Sequence, residues 1–184
     1  IDHMDQDDPQ IEMFQLATKN IVKVLKNDFA PYLEAVLKIC VAQLTVKFED
    51  VDWNDQDLNW DEFHMTHQFV DGTQAVRTSH LEDMDGALSV LSSIVTELNV
   101  LTIPIMSPLA QAVLPLFSFV TSQTRNRAFS LWADMLAVVK LGLQQGACDK
   151  SLFDQLFVHF LKHNVEQLQK YSKSDGCYET AASI

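Results

Sequence analysis

Apolar residues recur at intervals of three and four along most of this chain, the spacing that keeps them on one face of an α-helix. The cleanest stripe is Leu81, Met84, Leu88, Leu91, Val95 and Leu98, which predicts a helix from Ser79 to Asn99. Ser79-His80-Leu81-Glu82 has the form of a capping box at its start. Before it, Phe14, Ala17, Ile21, Val24 and Leu25 mark a helix that opens at Asp8-Pro9 and ends near Asn27. Leu33, Val36, Leu37, Cys40, Val41 and Leu44 mark a second, from Pro31 to about Phe48. A fourth is expected from Pro108 to about Val120, bent at Pro115, which cannot donate to the carbonyl of Gln111. A fifth runs from about Thr124 to Gly146 with Phe129, Trp132, Met135, Leu136, Val139 and Leu143, apolar enough to be buried. A sixth starts near Ser151 and carries Leu152, Phe153, Leu156, Phe157, Phe160 and Leu161. No period-two alternation points to a strand, so about six long helices in antiparallel pairs are expected.

Two of these helices open on the same phrase. Ala30-Pro31-Tyr32-Leu33-Glu34-Ala35-Val36-Leu37 returns as Ser107-Pro108-Leu109-Ala110-Gln111-Ala112-Val113-Leu114, an offset of 77 residues, with proline at the first helical position where its missing N–H leaves no bond unmade. A polar, acidic stretch over residues 49–79 lies between the copies. Without it the period falls to about 45, the range of HEAT and armadillo units. The predicted fold is therefore all-α: a right-handed HEAT-repeat solenoid occupying residues 1–184 as one unit, with an acidic insertion inside one repeat and a frayed tail over 172–184.

Charge narrows the partners. The 184 residues carry 13 Lys and Arg against 25 Asp and Glu, a net charge of −12. That argues against direct nucleic-acid binding and against a basic membrane-surface helix, and makes basic proteins the natural partners. Three cysteines, one of them Cys40 on an apolar stripe, do not suggest a disulfide framework, so a reducing cytosolic or nuclear compartment is expected. No signal peptide is read, and no apolar run is read as reaching the roughly 18 uncharged residues of a membrane span. A soluble chain is expected.

The insertion invites chemical readings that its details resist. Asp50, Asp52, Asn54 and Asp61 fall at positions one, three, five and twelve of a calcium-loop pattern. Position six, where glycine makes the sharp turn, is Asp55, and position twelve is a short aspartate in place of a bidentate glutamate. A solvated acidic loop is the better reading, and no metal is expected. His64, His67 and His80 lack a neighbouring cysteine and a recognised ligand-pair spacing for zinc. Trp53 and Trp60 flank the acids and could grip lysine stems, although large aromatics are usually buried and stapling of the loop onto the helices by Trp60 and Phe63 is the better reading. There is no phosphate-cradling glycine motif, no Gly-x-Ser-x-Gly elbow and no recognisable catalytic Ser, His or Cys arrangement. No enzyme activity and no cofactor are expected.

Several phrases resemble, in order and spacing, the middle of the importin-beta family of nuclear transport receptors. They are Asp7-Asp8-Pro9-Gln10-Ile11, Phe29 with Tyr32-Leu33, Trp60 with Glu62-Phe63, Arg77-Thr78 and Leu81-Glu82. The likeness runs from about Met4 to Lys140. Its specific part is Trp60 to Ala87, which matches an insertion within one HEAT repeat; helices five and six match more loosely. One departure is that the acidic run is interleaved here as Asp52, Asp55 and Asp57 with an additional Trp53.

The resemblance implies a piece of a longer receptor that carries basic cargo, such as ribosomal proteins, histones and lysine-rich localisation signals. Ran-GTP would release that cargo, and the receptor would move between cytoplasm and nucleus through the nuclear pore. The principal Ran site of such receptors lies in repeats outside this stretch. The six helices would read B, A, B, A, B, A, with the B helices on the inner, cargo-facing side. The expected cargo contacts are Asp52, Trp53, Asp55, Asp57, Trp60, Asp61 and Glu62 of the insertion, with Glu82, Asp83 and Asp85 at the start of helix three. The alternative is a generic HEAT scaffold or adaptor subunit of a protein complex.

Overall fold

The computed structural model describes residues 10–45, 48–52, 59, 62–69, 72–119 and 121–171. In chain order the elements are α1 (Gln10–Leu25), α2 (Leu33–Gln43), β1 (Glu49–Val51), β2 (Phe63–Phe69), β3 (Gly72–Arg77), α3 (Thr78–Leu98), α4 (Met106–Val113), α5 (Ser122–Gln145) and α6 (Lys150–Tyr171). The expected opening at Asp8-Pro9 and the tail over 172–184 lie outside the described residues.

Six helices separated by loops are not what forms. A 3-10 segment, Lys26–Tyr32, joins α1 to α2, and another, Asn99–Ile105, joins α3 to α4. A third, Leu114–Ser118, continues α4. The described residues thus make four uninterrupted helical runs, two of them with internal corners. Each corner begins on a non-glycine residue with positive φ, Lys26 at 47° and Asn99 at 55°. Each then has proline as the sixth residue of the 3-10 segment, Pro31 and Pro104. The backbone repeat therefore sets Pro31 against Pro104, an offset of 73, one helical turn away from the 77 suggested by the amino-acid phrases. The periodicity of a helix makes a four-residue slip hard to see in sequence, because both registers keep apolar residues on the same face. Pro115 sits where α4 tightens into 3-10 geometry.

The insertion is not strand-free. Its three strands form an antiparallel sheet in the order β1-β3-β2, with Glu49 opposite Ala75 and Phe63 opposite Arg77, and a bulge between Met65 and His67. The strands are short and only Ala75, Val76 and Val51 are buried among their described side chains, so no alternation long enough to read survives in the sequence. The capping box does not form either. Arg77 occupies the N-cap of α3, without a side-chain cap, and Ser79 is already helical. Pairing of β3 up to Arg77 brings the chain straight into α3 and leaves no room for a separate cap residue.

α1 and α2 pack on α3, α3 packs on α5, and α4 and α6 pack on α5, so that α1, α3 and α5 make one row. One core joins them: Val36 and Cys40 of α2, Leu88, Leu91 and Val95 of α3, Leu109 and Val113 of α4, Trp132, Met135 and Val139 of α5, and Leu156 of α6. Two glycines permit close approach. A Cβ on Gly86 would stand 1.7 Å from Gln15 Oε1, and one on Gly142 2.2 Å from Ile103 Cδ1. Phe117 stacks on Phe129 at 4.2 Å and meets the edge of Trp132 at 5.0 Å, and the indole Nε1 of Trp132 donates to the Leu156 carbonyl at 3.1 Å.

Two sequence expectations about apolar surface fail. The run Thr78–Ser118 does contain an 18-residue window apolar enough, by length and composition, to cross a membrane. Here it turns at Asn99, and Met106, Leu109, Val113 and Phe117 from its second half enter the core. Of the stripe assigned to helix one, only Phe14 packs against the core. α1 buries Ile11, Gln15, Thr18 and Val22, while Ile21, Val24 and Leu25 stay exposed. Polar Gln15 wins its buried place by donating to the Asp83 carbonyl at 2.9 Å and to Gln43 Oε1 at 3.1 Å.

Candidate functional site

The first turns of α3 carry three of the expected contact acids. Glu82 is exposed, Asp83 is half-buried and Asp85 is buried. Asp85 lies on the part of α3 that meets the start of α5. Thr124 Oγ1 donates to its Oδ1 at 3.0 Å, Gln123 Nε2 donates to its Oδ2, and Arg127 Nε lies 3.2 Å from Oδ2. Thr121, at the N-cap of α5, makes no capping bond to the backbone; its hydroxyl donates instead to Thr124 Oγ1 at 2.8 Å. Asp85 therefore brings negative charge to the positive end of the α5 dipole from the neighbouring helix. It is a link between two helices, and its carboxylate is already occupied by this chain's own donors.

Glu82, Asp83 and Asp85 border an open groove of about 660 Å³ that runs across the row α1, α3 and α5. α1 contributes Glu12, Gln15, Leu16 and Lys19, α3 adds Ser79, Gly86 and Ser89, and α5 adds Gln123 and Arg127. Lys19 Nζ donates to Ser89 Oγ at 2.8 Å across the α1–α3 contact. The groove thus holds four acids, Glu12, Glu82, Asp83 and the already engaged Asp85, and two cations, Lys19 and Arg127, each in contact with α3. Sequence reading missed Glu12, Lys19 and Arg127. Nothing local marks them, because they reach the groove from helices far apart in the chain.

In the insertion, Asp52 follows β1 and Glu62 precedes β2, and both are exposed. Asn59 Nδ2 donates to Glu62 Oε1 at 2.9 Å. Neither acid borders the groove. Glu49 is drawn into structure: Arg77 donates to its two carboxylate oxygens at 2.7 and 3.2 Å and stacks its guanidinium 5.2 Å from the Phe63 ring centre. Trp53, Asp55, Asp57, Trp60 and Asp61 lie outside the described residues, as does Asn54 of the calcium-loop pattern. His64 and His67 sit on β2 opposite Val76 and Gln74, while His80 Nε2 is 3.0 Å from the Thr45 carbonyl at the end of α2. Among the described residues no three His, Cys, Asp or Glu side chains gather as metal ligands would. Cys40 is fully buried, and burial pushes its thiol up to about 12.

No protein-family model matches the sequence, and no curated protein matches it. Solved structures do. Kap121p bound to RanGTP superposes with a TM-score of 0.68 at 17% identity, over 95% of this chain and 16% of that one. The fold resembles a stretch of the Kap121p helical solenoid. Kap121p bound to Pho4p gives 0.66 at 17% identity over 85% of this chain, and a multiply substituted Kap121p gives 0.70 over 94%. The chain spans about 15% of the length of Kap121p.

Proposed function

We propose that this chain is a segment of a nuclear transport receptor of the importin-5, or karyopherin beta-3, type, and that it contributes an acidic surface for lysine-rich cargo. The observation that carries the reading is the coincidence of the karyopherin fold with an acidic groove across the α1–α3–α5 row. Glu12, Glu82 and Asp83 supply its carboxylates, with Asp52 and Glu62 of the insertion, and Trp53, Asp55, Asp57, Trp60 and Asp61 beside them in sequence. Cargo of this class includes ribosomal proteins, histones and lysine-rich localisation signals. Such a receptor performs no chemistry on its cargo, releases it to Ran-GTP through a site outside this segment, and works in the cytoplasm, the nucleus and the nuclear pore. Asp85 borders the same groove with its carboxylate engaged by Gln123, Thr124 and Arg127, so it adds negative charge there while Glu12, Glu82 and Asp83 carry the direct contacts.

The test is calorimetric titration of a lysine-rich peptide against wild type, against a groove variant (Glu12→Gln, Glu82→Gln, Asp83→Asn) and against an insertion variant (Asp52→Asn, Asp55→Asn, Asp57→Asn, Asp61→Asn, Glu62→Gln). Loss of affinity in either variant, with binding that weakens as salt rises, supports the reading, since exposed charge pairs are screened beyond about 8 Å at physiological ionic strength. Affinities equal to wild type in both, or binding indifferent to salt, would remove these acids from the cargo surface.

A further inference from the structure

The groove across α1, α3 and α5 holds both signs of charge, and it holds them at different heights. The three helices run side by side in one direction: Gln15 reaches the Asp83 carbonyl and Lys19 reaches Ser89, while Asp85 meets Thr124 and Ser92 meets Asp134. Later positions of α3 thus face later positions of both neighbours. Glu12, Glu82 and Asp83 border the groove near the helix starts. Lys19 and Arg127 enter it further along and from opposite sides, Lys19 Nζ on Ser89 Oγ at 2.8 Å and Arg127 Nε at 3.2 Å from Asp85 Oδ2. Asp85 and Ser89 are one turn apart on α3, about 5–6 Å between Cβ atoms, so both cations are anchored within a single turn.

Neither cation is fully engaged by the fold. Lys19 bonds to a neutral hydroxyl and, among the described residues, forms no ion pair. Arg127 is 46% exposed and meets Asp85 through Nε, which leaves its terminal amino groups for another acceptor. Glu12 and Lys19 are seven residues apart on α1, as are Glu82 and Ser89 on α3. Seven residues are two turns, roughly 10 Å along the axis and on the same face. An extended segment covers roughly 10 Å in three residues. An unbroken run of lysines would satisfy the acidic end and then set its next charges against Lys19 and Arg127, a like-charge juxtaposition that selects against it.

From this we propose that the groove reads the order of charge along its partner. It takes an extended segment in which a lysine has an aspartate or glutamate two or three residues away, the lysine meeting Glu12, Glu82 and Asp83 and the acid lying between Lys19 and Arg127. The inference rests on the reading of this groove as a cargo surface and names the segment that fits it.

The experiment is calorimetric titration of the whole chain with two short peptides. One has a central lysine pair with a glutamate two residues beyond it on each side, so that either chain direction is covered; the other has glutamine at both glutamate positions. The proteins are wild type, a groove variant (Lys19→Gln, Arg127→Gln) and a control (Lys38→Gln, Lys140→Gln) that loses the same charge at exposed positions outside the groove. Circular dichroism checks that each is folded. Wild type should bind the glutamate peptide at least as tightly as the glutamine peptide, although a net charge of −12 favours the more basic one. In the groove variant the ratio of the two affinities should move toward the glutamine peptide by about threefold or more, the worth of an exposed ion pair. In the control the ratio should stay at its wild-type value. A wild type that prefers the glutamine peptide, a smaller shift in the groove variant, or an equal shift in the control would overturn the proposal and leave the cargo reading standing. If neither peptide binds wild type, both fall.

Discussion

Replacing Asp85 by alanine separates a structural role from a recognition role at one residue. The carboxylate is buried, with its side chain 11% exposed, and receives bonds from Thr124 at 3.0 Å and from Gln123, while Arg127, 46% exposed, stands 3.2 Å away. A hydrogen bond to a charged acceptor contributes about 1.5–3 kcal/mol, and stranding the buried Thr124 hydroxyl adds to the loss. The ion pair with Arg127 adds at most about 1 kcal/mol, because the guanidinium is largely in water. The expected cost of Asp85→Ala is therefore about 2–4 kcal/mol. For a domain of this size that lowers Tm by roughly 5–15 °C. Urea unfolding followed by circular dichroism should show a lower midpoint with an unchanged slope. Arg127→Ala alone should cost less than about 1 kcal/mol, and Thr124→Val about 1 kcal/mol or more. The decisive comparison is with Glu82→Ala, which should leave stability within about 0.5 kcal/mol as an exposed substitution does, while reducing peptide affinity. If Asp85→Ala unfolds at the wild-type midpoint, or weakens peptide binding without loss of stability, the latch is not what holds α3 to α5.

Trp132→Ala removes a fully buried indole, its edge contact with Phe117 and its bond to the Leu156 carbonyl, and should cost about 3–5 kcal/mol by the same denaturation assay; a loss under 1 kcal/mol would contradict its central place. Cys40, with its thiol pushed from 9.0 to about 12, should resist a thiol-labelling reagent in the native state and react on unfolding. Its linkage runs downward with pH: between 9 and 12 the unfolded chain releases a proton that the folded chain keeps, so folding stability falls over that window. The fall should be shallower in Cys40→Ala, and equal slopes in the two proteins would show that the thiol is not desolvated.

Much of the helical framework was legible in sequence because a helix writes its own period. The stripes of α2 and α3 were read residue by residue, and Leu33, Val36, Cys40, Leu88, Leu91 and Val95 all enter the core. Gly146 ends α5 in the left-handed conformation, at φ 71°, as glycine after a helix commonly does. What periodicity cannot carry is direction. It showed that α1 has an apolar stripe but not which side meets α3; a glycine at position 86 and a glutamine able to reach the Asp83 carbonyl decided that, across about seventy residues of chain. The sheet escaped for a related reason, since β1, β2 and β3 are held by pairing with one another rather than by alternation within any one of them. The acids show the same division. Charge along the chain marked Glu82, Asp83 and Asp85 as one cluster, yet only the packing of α3 on α5 buried the Asp85 carboxylate against the Gln123, Thr124 and Arg127 side chains and left Glu82 exposed, lining the same groove as Glu12. Local sequence determines the elements and their composition; the pairing of distant surfaces decides which face is core, which carboxylate is already bound, and which remains available to a partner.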